Sequence, residues 1–182
     1  MENKIGYISI SGFKENTYSQ FKEALTALQK EGMKGLILDL RDNPGGLVRS
    51  VYEIGDELLP EGTMVYTLDK KQNRNDLKCD EKYLDIPLVV LVNENSASAS
   101  EILAAALQDN GFKLVGQNTY GKGVIQSTAE LSDGSAIKLT IMQYFSPDGN
   151  KIHKKGVKPD YEVKNEEDSS TDAQLEKALS LF

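Results

Sequence analysis

The segment Leu88-Val89-Val90-Leu91-Val92 constrains this chain more than any other. Five consecutive apolar residues, rich in β-branched types and followed by Asn93-Glu94-Asn95, read as a strand buried on both faces. Leu36-Ile37-Leu38-Asp39-Leu40 is a second run of this kind, and Ile5 to Ile10 alternates as a third strand. Helical spacing fills the gaps between them. Phe21, Leu25 and Leu28 follow Thr17-Tyr18-Ser19-Gln20, which has capping-box form, and Gly32 marks a stop. Leu47, Val51, Ile54 and Leu58 mark a helix ended by Pro60, and Glu101 to Gln108 is strongly helical. Met64 to Leu68 and Lys113 to Gly116 are shorter strands. This alternation predicts an α/β layered core with a mostly parallel sheet. Antiparallel hairpins come next, with Val124 to Leu131 pairing Ala136 to Phe145 across Ser132-Asp133-Gly134-Ser135. Asp69 to Asp76 reads as a polar loop or hairpin tip, and Pro147-Asp148-Gly149-Asn150 as a turn. Residues 1–163 are therefore expected to form the core. Residues 164–182 follow as an acidic linker, Glu166 to Ser170, and a helix carrying Leu175, Leu179 and Phe182.

Charge and composition remove several functions. A chain of 182 residues with net charge −7 is a poor nucleic-acid binder, and its basic residues are scattered along the sequence. No apolar run reaches membrane-spanning length. The single cysteine, Cys79, excludes an internal disulfide, and its acidic neighbours disfavour a thiolate. The single histidine, His153, lies in a basic segment and is read as a surface residue. Without a Cys/His cluster, no metal site is expected. Met1-Glu2-Asn3-Lys4 leads straight into a strand, so no signal peptide is visible in the chain.

The chemistry concentrates where the buried strand ending at Val92 gives way to Ser96-Ala97-Ser98-Ala99-Ser100-Glu101. A serine at a helix N-terminus sits beside backbone N–H groups that stabilise a developing oxyanion. The alternative is a plain helix cap, because Ser98-Ala99-Ser100-Glu101 fits a capping box. A nucleophilic serine needs a base, and with histidine set aside Gly121-Lys122-Gly123 stands out. Flanking glycines allow a lysine into a confined space, where burial favours the neutral amine. A solvated lysine in a hairpin turn is the competing reading. Gln126, four residues on, can share a face with Lys122 and hold its amine, or can simply be a wet strand position. Arg41-Asp42-Asn43-Pro44-Gly45-Gly46 follows the other buried strand. It offers a second oxyanion donor to match the Ala99 amide, or is only a strand-to-helix turn.

These segments, in this order, resemble the carboxyl-terminal processing, or tail-specific, proteases from about Lys4 to Val163. The resemblance rests on Gly35 to Gly46, Asn93 to Asp109, Tyr120 to Gln126 and Leu131 to Ala136. It implies a ClpP/crotonase-like fold and a serine endopeptidase needing no cofactor and no metal. Ser98 would be the nucleophile, Lys122 the general base and Gln126 its orienting partner, with the amides of Gly46 and Ala99 as oxyanion donors. It also implies polypeptide substrates with disordered C-terminal tails, allows a homo-oligomer, and points to an extracytoplasmic location. Such proteases usually carry a PDZ domain ahead of this core, and the chain begins where that domain would end. A latent or inactive peptide-binding core is therefore the second reading. A crotonase-like acyl-CoA enzyme comes third, since no basic patch for a CoA phosphate is seen. The stretch near Asn110-Gly111-Phe112 is about one residue shorter than usual in the family, and Ala105 stands where glycine is common.

Overall fold

The apolar runs do become the centre of a parallel sheet. The computed structural model describes residues 4–166 and 171–182. In chain order its elements are β1 (Ile5–Ser9), α1 (Thr17–Lys30), β2 (Gly35–Asp39), α2 (Val48–Leu58), β3 (Gly62–Asp69), β4 (Arg74–Cys79) and β5 (Leu88–Val92). There follow α3 (Ala99–Asp109), β6 (Lys113–Gly116), β7 (Val124–Glu130), β8 (Ala136–Phe145), β9 (Tyr161–Glu162) and α4 (Ala173–Leu179). One sheet has the order β1-β2-β5-β6-β9 with every pair parallel. The other, β4-β3-β8-β7, is antiparallel throughout. No helix among the described residues is long and apolar enough to cross a membrane.

Alternation along the strands sends side chains to two separate cores. Leu36, Leu38, Val90, Val92 and Leu114 face the larger one, with Phe21 and Leu25 of α1, Val51 and Ile54 of α2, and Ile102 to Leu107 of α3. Helix α3 is buried from Ala99 to Leu107 without a break, which explains why its sequence is apolar on every side. Ile37, Val89, Leu91 and Val115 face the smaller core, which Leu175 and Ala178 of α4 cover together with Leu181. Residue 163 is thus no boundary of packing, because the C-terminal helix covers the sheet's second face. Of the expected acidic linker, residues 167–170 lie outside the described residues.

Helix α4 is fastened at its first turn. Asp172 accepts from the Leu175 N–H at 3.0 Å and pairs with Arg41 at 2.9 Å, while Gln174 Oε1 accepts from Arg41 Nη1 at 3.1 Å. Burial opposes the charge on Asp172, but the Leu175 N–H, the Asn165 amide and Arg41 outweigh it and hold the carboxyl below its usual range. Arg41 also grips Asp39 through Nε and Nη2, and Tyr7 donates to the same carboxylate at 2.5 Å.

Two sequence readings change. Thr17 does not cap α1, because its hydroxyl donates to Gly12 O and accepts from the Lys14 N–H, closing the turn before the helix. Arg74 to Cys79, read as part of a polar region, is strand β4. Its backbone pairs with β3 while most of its side chains face water, as suits an edge strand. The short β9 had no sequence signal. Cys79 ends β4 buried, where desolvation and then the Asp56 carboxylate push its thiol up to about 12.

Ser50, in the first turn of α2, is 3% exposed and its hydroxyl has no hydrogen-bond partner. Ser50→Ala removes that unsatisfied group and improves helix propensity, and should stabilise the fold by about 1 kcal/mol. A urea melt should show a higher midpoint with an unchanged slope. A lower midpoint would mean that the hydroxyl is bonded in solution.

Candidate active site

Three neighbouring parallel strands deliver three loops to one edge of the sheet. Asp39 lies opposite Leu91 and Val92 opposite Gly116, so β2, β5 and β6 end side by side. Their loops are Arg41 to Gly46, Asn93 to Ser98 and Gln117 to Gly123. Ligand sites of open α/β sheets form outside such carboxyl ends.

The turn after β5 is strained at its last residue. Ser98 has φ +58° and ψ −112°, a conformation that costs a residue with a side chain about 1–3 kcal/mol. Neighbouring bonds hold it there. Ser96 Oγ donates to Leu40 O at 2.8 Å, the Ala97 N–H to Asn43 O at 2.9 Å and Ser100 Oγ to Asn43 O at 2.9 Å. The Ser98 N–H donates to Glu101 Oε2 at 2.8 Å, so the glutamate half of the capping box is made. The Ser98 side chain faces the Glu101 N–H in the other half of the box without forming a cap hydrogen bond. It is half-buried at the N-terminus of α3.

The loop after β2 is pressed against this turn. Asn43 is fully buried, donating through Nδ2 to Ile10 O at 2.8 Å and accepting the Gly45 N–H at 2.9 Å. Asp42 accepts from the amides of Asn93 and Asn95 at 2.9 and 2.8 Å, which hold its carboxyl below the usual range. Gly45 has φ +100°, and a Cβ there would lie 2.9 Å from Ser98 Cβ and 3.0 Å from Ala99 N. Gly46 has φ +146°, and a Cβ there would lie 2.0 Å from Phe13 O. Only glycine fits either place. The N–H groups of Gly46 and Ala99 have no hydrogen-bond partner among the described residues. Two unused donors therefore lie in the two segments that meet at Ser98. A cleft of about 650 Å³ opens beside Gly46, walled by Phe13, Glu15 and the exposed Leu47.

The loop after β6 is tied to the serine turn by one carboxylate. Glu101 is fully buried and accepts four hydrogen bonds. Thr119 Oγ1 and the Gly121 N–H reach Oε1 at 2.5 and 2.6 Å, while the Lys122 and Ser98 N–H groups share Oε2 at 2.7 and 2.8 Å. Among the described residues, the exposed side chains of Lys122 and Gln126 form no hydrogen bond or ion pair. The structure thus brings Ser98, Ala99 and Gly46 together and fixes the backbone of Lys122 beside them. It does not join the lysine amine to Ser98 or to Gln126, and the confined space expected around Lys122 is absent.

Residues 4–163 match the model of peptidase family S41. The chain belongs to that family. It is 46% identical over 186 residues to a carboxyl-terminal-processing protease of Synechocystis sp., with 98% of this chain and 44% of the relative covered. A protein of the same description from Picosynechococcus sp. is 43% identical over 187 residues, covering 98% and 45%. Among solved structures, a photosystem II D1 C-terminal processing protease superposes with a TM-score of 0.84 at 39% identity, covering 88% of this chain and 42% of that one. The tricorn protease shares the fold, with a TM-score of 0.64 at 21% identity over 99% of this chain and 18% of its own. This S41 chain spans less than half the length of the curated relatives.

Two residues of this S41 site escaped the sequence reading. Glu101 was legible only as the last member of a capping box, and Thr119 carried no signal, although its hydroxyl bridges Glu101 and the Val157 N–H at 2.7 Å. His153 also differs from its reading as a surface residue. It is half-buried against Gly123, and its Nδ1 is buried without a partner.

Proposed function

We propose that this chain is the catalytic core of a serine endopeptidase that uses Ser98 and Lys122 as its dyad. It cuts extracytoplasmic polypeptides near disordered C-terminal tails, by resemblance to processing proteases. One observation carries the reading: a serine on a strained turn at a helix start is pressed against a Gly-Gly loop, and the Gly46 and Ala99 amides of these two segments have no partner.

In the reaction, the neutral amine of Lys122 takes the Ser98 proton as Oγ attacks the scissile carbonyl. The Gly46 and Ala99 amides hold the resulting oxyanion. The Lys122 ammonium passes its proton to the leaving amine, the C–N bond breaks and an acyl ester remains on Ser98. Lys122 then takes a proton from water, whose oxygen attacks the ester carbonyl, and returns it to Ser98 Oγ as the ester C–O bond breaks and the new carboxyl terminus is released. Gln126 steadies the amine during both transfers.

Within the second reading, the unpartnered Gly46 and Ala99 amides support a latent core, whose exposed lysine is still to turn, over an inactive one. Activation then consists of Lys122 turning onto Ser98 while Glu101 holds its backbone. A peptidyl phosphonate tests the assignment. It should add one covalent adduct, mapped by mass spectrometry to the peptide containing Ser98. An adduct elsewhere, or none with substrate present to close the site, would remove Ser98 as nucleophile.

A further inference from the structure

Lys122 meets the basic segment Lys151 to Lys155 beside the Ser98 turn. The segment Ile152 to Gly156 packs on the loop that carries Lys122. The Lys154 N–H donates to Gly121 O at 2.8 Å, a Cβ at Gly121 would lie 3.3 Å from Lys155 N, and one at Gly123 would lie 2.5 Å from His153 N. Lys122, Lys154 and Lys155 therefore spring from touching backbones, and Lys151 flanks them on the same segment. All four are exposed, and none forms an ion pair among the described residues. In a chain of net charge −7, carboxylates are in excess, yet none neutralises this group. Glu101 lies beneath it fully buried, with both oxygens taken by other donors.

We propose that Lys154 and Lys155, with Lys151, form a carboxylate-binding collar for the substrate polypeptide next to the scissile bond. The proposal rests on the reading of Ser98 as nucleophile, since that is what makes the bound chain a substrate. The overall negative charge repels an acidic polypeptide at long range, and the collar supplies local attraction and orientation where the chain must enter. A single exposed ion pair contributes little, but two or three acting on one chain change its affinity severalfold, and salt weakens the effect. The carboxylates can come from Asp and Glu side chains or from the substrate's terminal α-carboxylate, which share the same chemistry.

Fluorescence anisotropy with Ser98→Ala protein and labelled peptides separates the cases. A glutamate-bearing peptide should bind about tenfold tighter than its glutamine counterpart at low salt, and less so at physiological salt. Lys154→Glu with Lys155→Glu should bring the ratio to about one, and the milder Lys154→Gln with Lys155→Gln should lower it partway. Reversing Lys70 and Lys71, on the turn between β3 and β4, should leave it intact. If amidating the peptide's C-terminus abolishes binding strength common to both peptides, the α-carboxylate is also held. If amidation changes nothing, side-chain carboxylates alone are read. Equal binding of both peptides that amidation does not weaken, a ratio that survives the Lys154 and Lys155 reversals, or tighter binding of a single-stranded oligonucleotide would overturn the collar. Phosphonate labelling of Ser98 is read separately, so failure of the dyad and failure of the collar are distinguishable.

Discussion

On the proposed mechanism, Ser98→Ala should lower kcat by about 10⁶-fold and leave KM within about twofold, because the hydroxyl acts in the chemical step and not in holding the chain. Lys122→Met should lose a similar factor. Lys122→Arg should not rescue it, since a guanidinium stays protonated and cannot take the serine proton. The backbone gives a further signature. Ser98 sits at φ +58°, where a side chain is strained and glycine is not. Ser98→Gly should therefore raise stability by about 1 kcal/mol while abolishing hydrolysis. Opposite signs for stability and activity at one position are expected of a nucleophile held in a strained turn. They are not expected of a helix cap, whose loss destabilises by about 0.5–2 kcal/mol. Urea midpoints and steady-state kinetics on the same samples decide between them. A glycine variant that melts earlier, or an alanine variant that still cuts, would return Ser98 to the role of a cap.

What was legible in the sequence, and what was not, follows from the range of the forces involved. Strands β2 and β5 are buried on both faces, so their apolar runs could be read directly. Gly45 and Gly46 were legible because a close approach leaves no alternative residue. Strand β4 was hidden because its edge position asks little of its side chains. The fourfold bonding of Glu101 was hidden for another reason. Ser98 is a local partner, and its spacing suggested a capping box, but Thr119, Gly121 and Lys122 reach the same carboxylate only after β5 and β6 have set their ends together. The expected enclosure of Lys122 was inferred from flanking glycines. Those glycines instead admit the backbone of His153 to Gly156, which leaves the lysine side chain outside.

Glu101 is the position at which stability and catalysis should be hardest to separate. Glu101→Ala would strip the acceptor from three backbone N–H groups and one hydroxyl in a site closed to water. A buried donor left unpaired costs about 1–3 kcal/mol, and the loops relax only in part, so a total loss of about 3–5 kcal/mol is expected. Set against a typical stability of about 5–15 kcal/mol, that leaves a marginal fold. The informative change is Glu101→Gln, which keeps the shape and one acceptor oxygen. Its amide has two orientations. With the NH₂ group toward Ser98 and Lys122 it would meet two backbone donors. With the NH₂ group toward Thr119 and Gly121 it would meet one backbone donor and one hydroxyl that can turn to accept. The second orientation costs less and keeps the Ser98 and Lys122 N–H groups on one oxygen. Glu101→Gln should therefore lose about 1–3 kcal/mol of stability, yet retain the tie between nucleophile and base, with kcat reduced only about tenfold. Adding Thr119→Val removes the hydroxyl that makes this orientation tolerable. The double variant should then lose much more stability than the sum of its parts if each single change leaves the other contact intact. Additive losses in the urea midpoints, or wild-type stability in Glu101→Ala, would mean that the carboxylate does not clamp the two loops, and that the position of Lys122 is set by its own loop alone.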